Sequence, residues 1–268
     1  MKKTMYLLAL VATVVSFFLI KISLFASGTD ESIQSSAKQT YVFKTYLKSD
    51  DIKIQSKDGH VTLTGTVFDE SYKELAKETV ANLPGVKRVD NKLHVLPEAP
   101  AMYSDAWLIT KVKTTLLFHR NVNATQTDVF VKDGVITLRG AATSETQKNL
   151  TTEFVQDVVG VKSVKNEMTV LTATMQSDEK NMVEKMAFKS KSIDDASITA
   201  LVKTTLLYHR STSALNTHVE TKGGVVNLRG KVSGVAEKDQ TTKLVSDVHG
   251  VNGVVNNMVV EKTRLKTI

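Results

Sequence analysis

The chain says the same thing three times. The run Val112 to Arg120, VKTTLLFHR, returns ninety positions later as VKTTLLYHR, Val202 to Arg210. Without a gap, GVITLRG (Gly134 to Gly140) then meets GVVNLRG (Gly224 to Gly230), and GVKSVKNEMTV (Gly160 to Val170) meets GVNGVVNNMVV (Gly250 to Val260). Roughly half of the positions between Asp105–Val170 and Asp195–Val260 are identical. A third copy lies upstream, where GHVTLTG (Gly59 to Gly65) and GVKRVDNKLHV (Gly85 to Val95) keep the spacing. Repetition on this scale means one small unit used in tandem, so three compact cores are expected in place of one large one. A unit of about 55–70 residues is near the lower size at which a single core supports a domain. The 268 residues contain no cysteine, so packing and contacts between copies must supply the stability. Multiplicity of this kind raises the affinity of a binding module and does little for a catalyst.

Residues 1–28 stand apart. Lys2 and Lys3 precede the apolar run Met5 to Ile20, and Ala26 to Gly28 offers a small-x-small cleavage site, the anatomy of a secretory signal peptide. Lys21 interrupts it and Ile22 to Ala26 resume the apolar character, so an uncleaved signal anchor is the alternative. Either places the repeats outside the cytoplasm, in the periplasm, free or tethered to the inner membrane. Without Lys2, Lys3 and Lys21 the chain carries 32 bases against 28 acids, +4 in place of +7. An exported chain with so mild and dispersed a charge is not expected to meet nucleic acid; an anionic membrane surface is the available partner.

In the middle copy, Asp105 to His119 has helical periodicity through Leu108, Val112, Leu116 and His119. Val129 and Val131 alternate as a strand, Asp133-Gly134 is a hairpin turn, and Ile136 and Leu138 continue the return strand. Ser144 with Gln147 makes a capping box opening a second helix through Leu150, Phe154 and Val158, which Gly160 ends. Val164, Met168 and Val170 form a last strand. The order is αββαβ, and the class α+β: three tandem αββαβ modules after the signal segment. The third copy follows the same grammar. The first does so with a front about nine residues shorter and an opening helix limited to Tyr41–Lys48. The expected domains are 40–97, 104–172 and 194–261, with a charged linker at 173–193. Within that linker Met182, Val183, Met186 and Phe188 suggest a turn or two of amphipathic helix, solvated or docked on a module.

The helix DDASITALVKTTLL (Asp194 to Leu207), the turn-strand GVxLxG and the closing GVxxVxN resemble the BON domain, a family that includes osmotically inducible periplasmic proteins. The resemblance covers residues 40–260. It implies the αββαβ fold, an envelope location, binding of phospholipid surfaces under osmotic or envelope stress, and no catalysis.

Gly65, Gly140 and Gly230 belong to no phosphate-loop motif and are expected at strand ends, where a bulge is the ordinary need. Asn91, Asn166 and Asn256 are expected to bond nearby backbone. His119-Arg120 and His209-Arg210 recur, but no nucleophile set completes them, and the six histidines lack metal-ligand spacing. No cofactor, metal or catalytic residue is expected. The pairs suit a helix C-terminus or an anionic headgroup. Trp107, Lys111, Thr114 and Phe118 form a second face on their helix, to which the third copy contributes Tyr208. Trp107, Lys111, Phe118, His119, Arg120, Tyr208, His209 and Arg210 are therefore the candidate lipid contacts, with packing against another module as the competing account. The basic tail Lys262, Arg264 and Lys266 is a frayed end or a further membrane attraction. The function expected is non-enzymatic: an envelope protein on anionic phospholipid, or else a scaffold that binds an envelope protein or its own copies.

Overall fold

The computed structural model describes residues 29–96, 100–171, 193–212 and 216–261. The leader, the tail with Lys262, Arg264 and Lys266, and nearly all of the 173–193 linker with its Met182–Phe188 stripe lie outside these residues. Among the described residues no helix is long and apolar enough to cross a membrane.

The first module opens with α1 (residues 29–39) and α2 (Tyr41–Thr45), then β1 (Asp51–Lys57), β2 (His60–Val67), α3 (Glu70–Ala81) and β3 (Arg88–Val95). The second has α4 (Asp105–Phe118), β4 (Thr127–Lys132), β5 (Val135–Ala142), α5 (Glu145–Asp157), β6 (Ser163–Asn166) and β7 (Thr169–Val170). The third has α6 (Asp195–Tyr208), β8 (Thr217–Lys222), β9 (Val225–Val232), α7 (Val235–Ser246), β10 (Gly253–Asn256) and β11 (Val259–Val260). In every sheet a hairpin supplies two antiparallel strands, and the last strand returns parallel to the second, which is central.

Three recurring details explain why the sequence folds this way. Both residues of the Asp133-Gly134 turn have positive φ, 52° and 80°, the geometry that a two-residue hairpin favours. The amides of that turn donate to the Asp105 carboxylate at 2.8 and 3.0 Å, fastening the hairpin to the first turn of α4. Asp195 does the same for Gly223 and Gly224, and Asp30 for Asp58 and Gly59. Near the other end, Asn166 splits the closing strand: its Oδ1 accepts from the Met168 amide while its Nδ2 donates to the Lys148 carbonyl of α5. Asn256 repeats this with Met258 and Lys238, and Asn91 with Leu93 and Lys73. These asparagines are local backbone hydrogen bonders.

The Asp30 bond corrects the expectation about the first module. Its opening helix is not confined to Tyr41–Lys48, and its front is not shortened. Asp30 precedes its turn by the 28 residues that separate Asp105 from Asp133, and Ile33 and Ala37 are buried where Leu108 and Val112 are buried. The helix is broken at Thr40, whose ψ of 154° leaves the helical region. A stretch as polar as TDESIQSSAKQT, with two apolar residues a turn apart, gives too little periodicity to be recognised beside an apolar leader. The break has a partner: the freed amides of Tyr41 and Val42 donate to Asp194 Oδ2 and Ser197 Oγ, at the start of α6.

The modules are therefore not separate beads. α6 packs against α3, α4 and α7, and is buried on nearly every side, from Ala196 to Leu206. The first and third modules share one continuous core, which also takes in Phe118 of the second, while Leu244 of α7 lies in the core of the second. Domains this small bury too little surface alone, and shared helices supply the rest.

Candidate functional site

The recurring His-Arg pairs meet across the second and third modules. His209 Nδ1 lies 2.9 Å from Asp157 Oδ2, at the end of α5, and His119 Nδ1 lies 3.2 Å from Asp247 Oδ2, at the end of α7. The second contact is close but poorly aligned for a hydrogen bond. Each arginine then caps the helix end that its histidine reaches. Arg120 donates to the Ser246 and Val251 carbonyls, and Arg210 to those of Gln156, Val158 and Val161. The Ser246, Gln156 and Val158 carbonyls are left over where a helix stops and those of Val251 and Val161 lie in the turn that follows, so a fixed cation satisfies both hydrogen bonding and the dipole. Backbone bonds repeat the symmetry: Arg120 N donates to Asp247 O and Arg210 N to Asp157 O. The two modules clasp one another through the same surface used twice, as in an isologous dimer.

At the centre of the clasp the imidazoles of His119 and His209 stand edge to face, 5.8 Å apart, with His119 stacked 4.0 Å from Phe154. They are 1% and 2% exposed. Burial, chiefly, holds His119 below the usual histidine range; the Asp247 carboxylate opposes this. Burial does the same to His249. The contacts differ from those of a catalytic dyad. Ser211 bonds the carboxylate of Asp157 and not the imidazole, and His209 Nε2 is buried with no partner. A general base must reach its substrate proton, and this nitrogen cannot.

A second junction joins all three modules. Lys111 of α4 is 2% exposed, 3.5 Å from Asp69 Oδ1 and hydrogen bonded to Ser71 Oγ at the start of α3. Its ammonium lies 4.3 Å from the ring centre of Tyr208 and 5.4 Å from that of Trp107. Desolvation, the largest effect, pulls its pKa down although Asp69 pulls it up. The same burial pushes the Tyr208 hydroxyl well above its usual range. Trp107 is half-buried against Tyr103, ring centres 5.2 Å apart.

The structure places the expected lipid contacts as follows, with Arg120 and Arg210 exposed and the others wholly or partly buried. Lys111, Phe118, His119 and His209 are buried; Trp107 and Tyr208 are half-buried against Lys111; Arg120 and Arg210 spend their guanidinium groups on carbonyls. The helix face that looked interfacial is the surface by which the modules hold each other. The matching acids, Asp157 and Asp247, were the missed signal. They recur ninety positions apart, and the first module, without a His-Arg pair, has Asn82 in their place. Among the described residues no three His, Asp or Glu side chains converge as a metal site.

The chain is 30% identical over 143 residues to osmotically-inducible protein Y of Escherichia coli, covering 52% of this chain and 71% of that one. It is 28% identical over 138 residues to the outer membrane lipoprotein DolP of Haemophilus influenzae, covering 50% and 71%. Among solved structures, the C-terminal domain of the type III secretion protein CdsD of Chlamydia trachomatis aligns over 86% of this chain and 96% of its own at 14% identity, with a TM-score of 0.23. The BON domain matches residues 29–97, 104–172 and 194–262, the first match starting at the helix that carries Asp30, and the chain belongs to the BON domain family.

Proposed function

We propose that this is a non-enzymatic protein of the cell envelope that binds anionic phospholipid surfaces, in the setting of osmotic or envelope stress. The relatives support the setting, one being osmotically inducible and one an outer membrane lipoprotein. One structural observation carries the binding. Seven aspartates are engaged by the fold, while Asp51, Asp58, Asp90, Asp128, Asp133 and Asp239 stay exposed: Asp30, Asp105 and Asp195 hold turns, Asp69 and Asp194 cap helices, and Asp157 and Asp247 close the clasp. Most of the bases stay outside, Lys111 being the buried exception, with Lys53, Lys57, Arg88, Lys132, Arg139, Lys222 and Arg229 all exposed on the sheets. The surface is thus more cationic than the net charge, and anionic headgroups are its natural complement. Co-sedimentation with vesicles containing phosphatidylglycerol tests this. Binding should fall as salt rises, because screening shortens the reach of exposed charges; no binding even at low salt rejects it.

A second reading has its own support. The outer sheet faces of the second and third modules expose Phe130, Val135, Val225, Val255 and Val259, apolar groups of the kind that protein contacts cover. An envelope protein or another copy of the chain would fit there, and sedimentation velocity distinguishes a stable oligomer from a monomer.

A further inference from the structure

The clasp uses two copies of one surface, and the chain has three. Where the second and third modules carry His119 and His209, the first carries Lys44, which is exposed and forms no ion pair among the described residues. Where they carry Asp157 and Asp247 it has Asn82, whose side chain turns back to the Glu78 carbonyl of its own helix. The first module therefore takes no part in a clasp: α6 covers its α3 and the end of α4 meets Tyr46, but the surface beside Lys44 stays open.

Beside Lys44 that surface forms a cleft of about 360 Å³, lined by Lys38, Phe43, Leu47, Lys48 and Asp50 among others. Phe43 and Leu47 give it an apolar floor, 9% and 3% exposed. The three lysines around it are exposed, and none has an ion pair among the described residues. Asp50 is the single acid: its Oδ1 accepts from the Phe68 amide at 3.1 Å, and burial raises its pKa. Three positive charges thus stand against one negative charge. A second copy of the chain does not fit here, since Lys44 would face Lys44 and Asn82 cannot replace the aspartate of the clasp.

We propose that this cleft holds the headgroup of an anionic phospholipid in a bilayer, Lys38, Lys44 and Lys48 meeting phosphate oxygens and Phe43 and Leu47 underlying the glycerol end. A cleft of this volume suits one small amphiphile and not a length of peptide, and lysines around its rim can also reach neighbouring headgroups in the bilayer plane. The assignment rests on the membrane reading above and gives it a location.

The test compares the full chain with three variants on vesicles of phosphatidylglycerol and phosphatidylethanolamine, and on vesicles of phosphatidylcholine alone. The parent should bind the anionic vesicles and not the neutral ones. Lys38→Glu/Lys44→Glu/Lys48→Glu should lose at least about tenfold in affinity, since each lysine near an anionic surface contributes about fivefold. Asp50→Asn should bind a few times more tightly, about the effect of removing one opposing charge. Lys222→Glu/Lys231→Glu, on the third sheet, should lose clearly less than the triple variant. A parent that ignores anionic vesicles defeats the membrane reading itself. A parent that binds while the triple variant binds equally well, or while the third-sheet variant loses as much, defeats the cleft alone. Should the triple variant fail to fold by circular dichroism, Asp50→Asn decides, and unchanged or weaker binding overturns the assignment.

Discussion

His209 holds Asp157 across a module boundary at 2.9 Å, and the pair lies beside its symmetry mate His119 and Asp247. His209 is buried and would be stranded by the loss of Asp157, whereas Asp157 would keep its bonds to Ser211. Asp157→Asn and His209→Ala should each lower stability by about 1–3 kcal/mol, the usual cost of leaving a buried polar group unpaired. The double variant should cost less than their sum, because the second change removes a group already stranded. Thermal or urea unfolding of the four proteins measures the coupling; strict additivity would show that the pair does not act as a unit.

The buried histidines make the molecule acid-sensitive. His119 has a folded pKa below the ordinary 6.5, chiefly through burial, with Asp247 opposing and His209 and His249 adding to the depression. His249 is depressed in the same direction, again mainly by burial. A base whose pKa is lower in the folded state binds fewer protons there than when unfolded, so stability is present above 6.5 and is lost as pH falls below it. The unfolding midpoint should drop between pH 7.5 and pH 5, and His119→Gln should flatten that slope. An unfolding midpoint that does not move over this range would contradict the burial of His119.

Lys111 can be tested with the residues that the chain itself uses elsewhere. Its counterpart in the third module is Leu201, and the counterpart of Asp69 in the second is Ser144. Lys111→Leu alone leaves the Asp69 carboxylate buried, held by the amides of Ser71 and Tyr72, and should cost about 2–4 kcal/mol. Adding Asp69→Ser removes the stranded charge while keeping a helix cap, and should recover a large part of the loss. Equal stability of the single and double variants would show that the ion pair has no role at the three-module junction.

Gly140 has φ of 117°, and a Cβ built on it would stand 2.0 Å from the Gln126 carbonyl oxygen. Both the backbone conformation and the contact exclude a side chain, which is why the position, at or next to the end of the hairpin pairing, is a glycine in every copy. Gly140→Ala should destabilise by about 2–4 kcal/mol, combining strain with forced separation of β4 and β5. Chemical denaturation measures it, and a loss under about 0.5 kcal/mol, the usual range for a harmless surface change, would contradict the close approach.

The repeated motifs revealed the αββαβ unit because they are local. A positive-φ turn, a glycine that ends a helix and an asparagine that bonds its neighbours act within a few residues, and alternation of Val129, Val131, Ile136 and Leu138 marks one sheet face. The helix of residues 29–39 escaped recognition because Ile33 and Ala37 are too few to set a period, and its anchor, Asp30, acts at 28 residues' distance.

The candidate site divides along the same line. That Trp107, Lys111, Thr114 and Phe118 form a face distinct from the core of their helix was written in the sequence. What that face meets was not, since a membrane and a neighbouring module both reward an amphipathic helix edged with cations. The choice fell to partners far along the chain: Asp69 for Lys111, Asp247 for His119, Asp157 for His209. By itself the sequence determined three copies of one unit and their internal geometry, because short-range stereochemistry and hydrophobic alternation suffice for that. Only the tertiary structure decided that two of them lock reciprocally while the first docks through α3 and Asp69, because burying a charge is favourable only where an opposite charge from another module arrives to meet it.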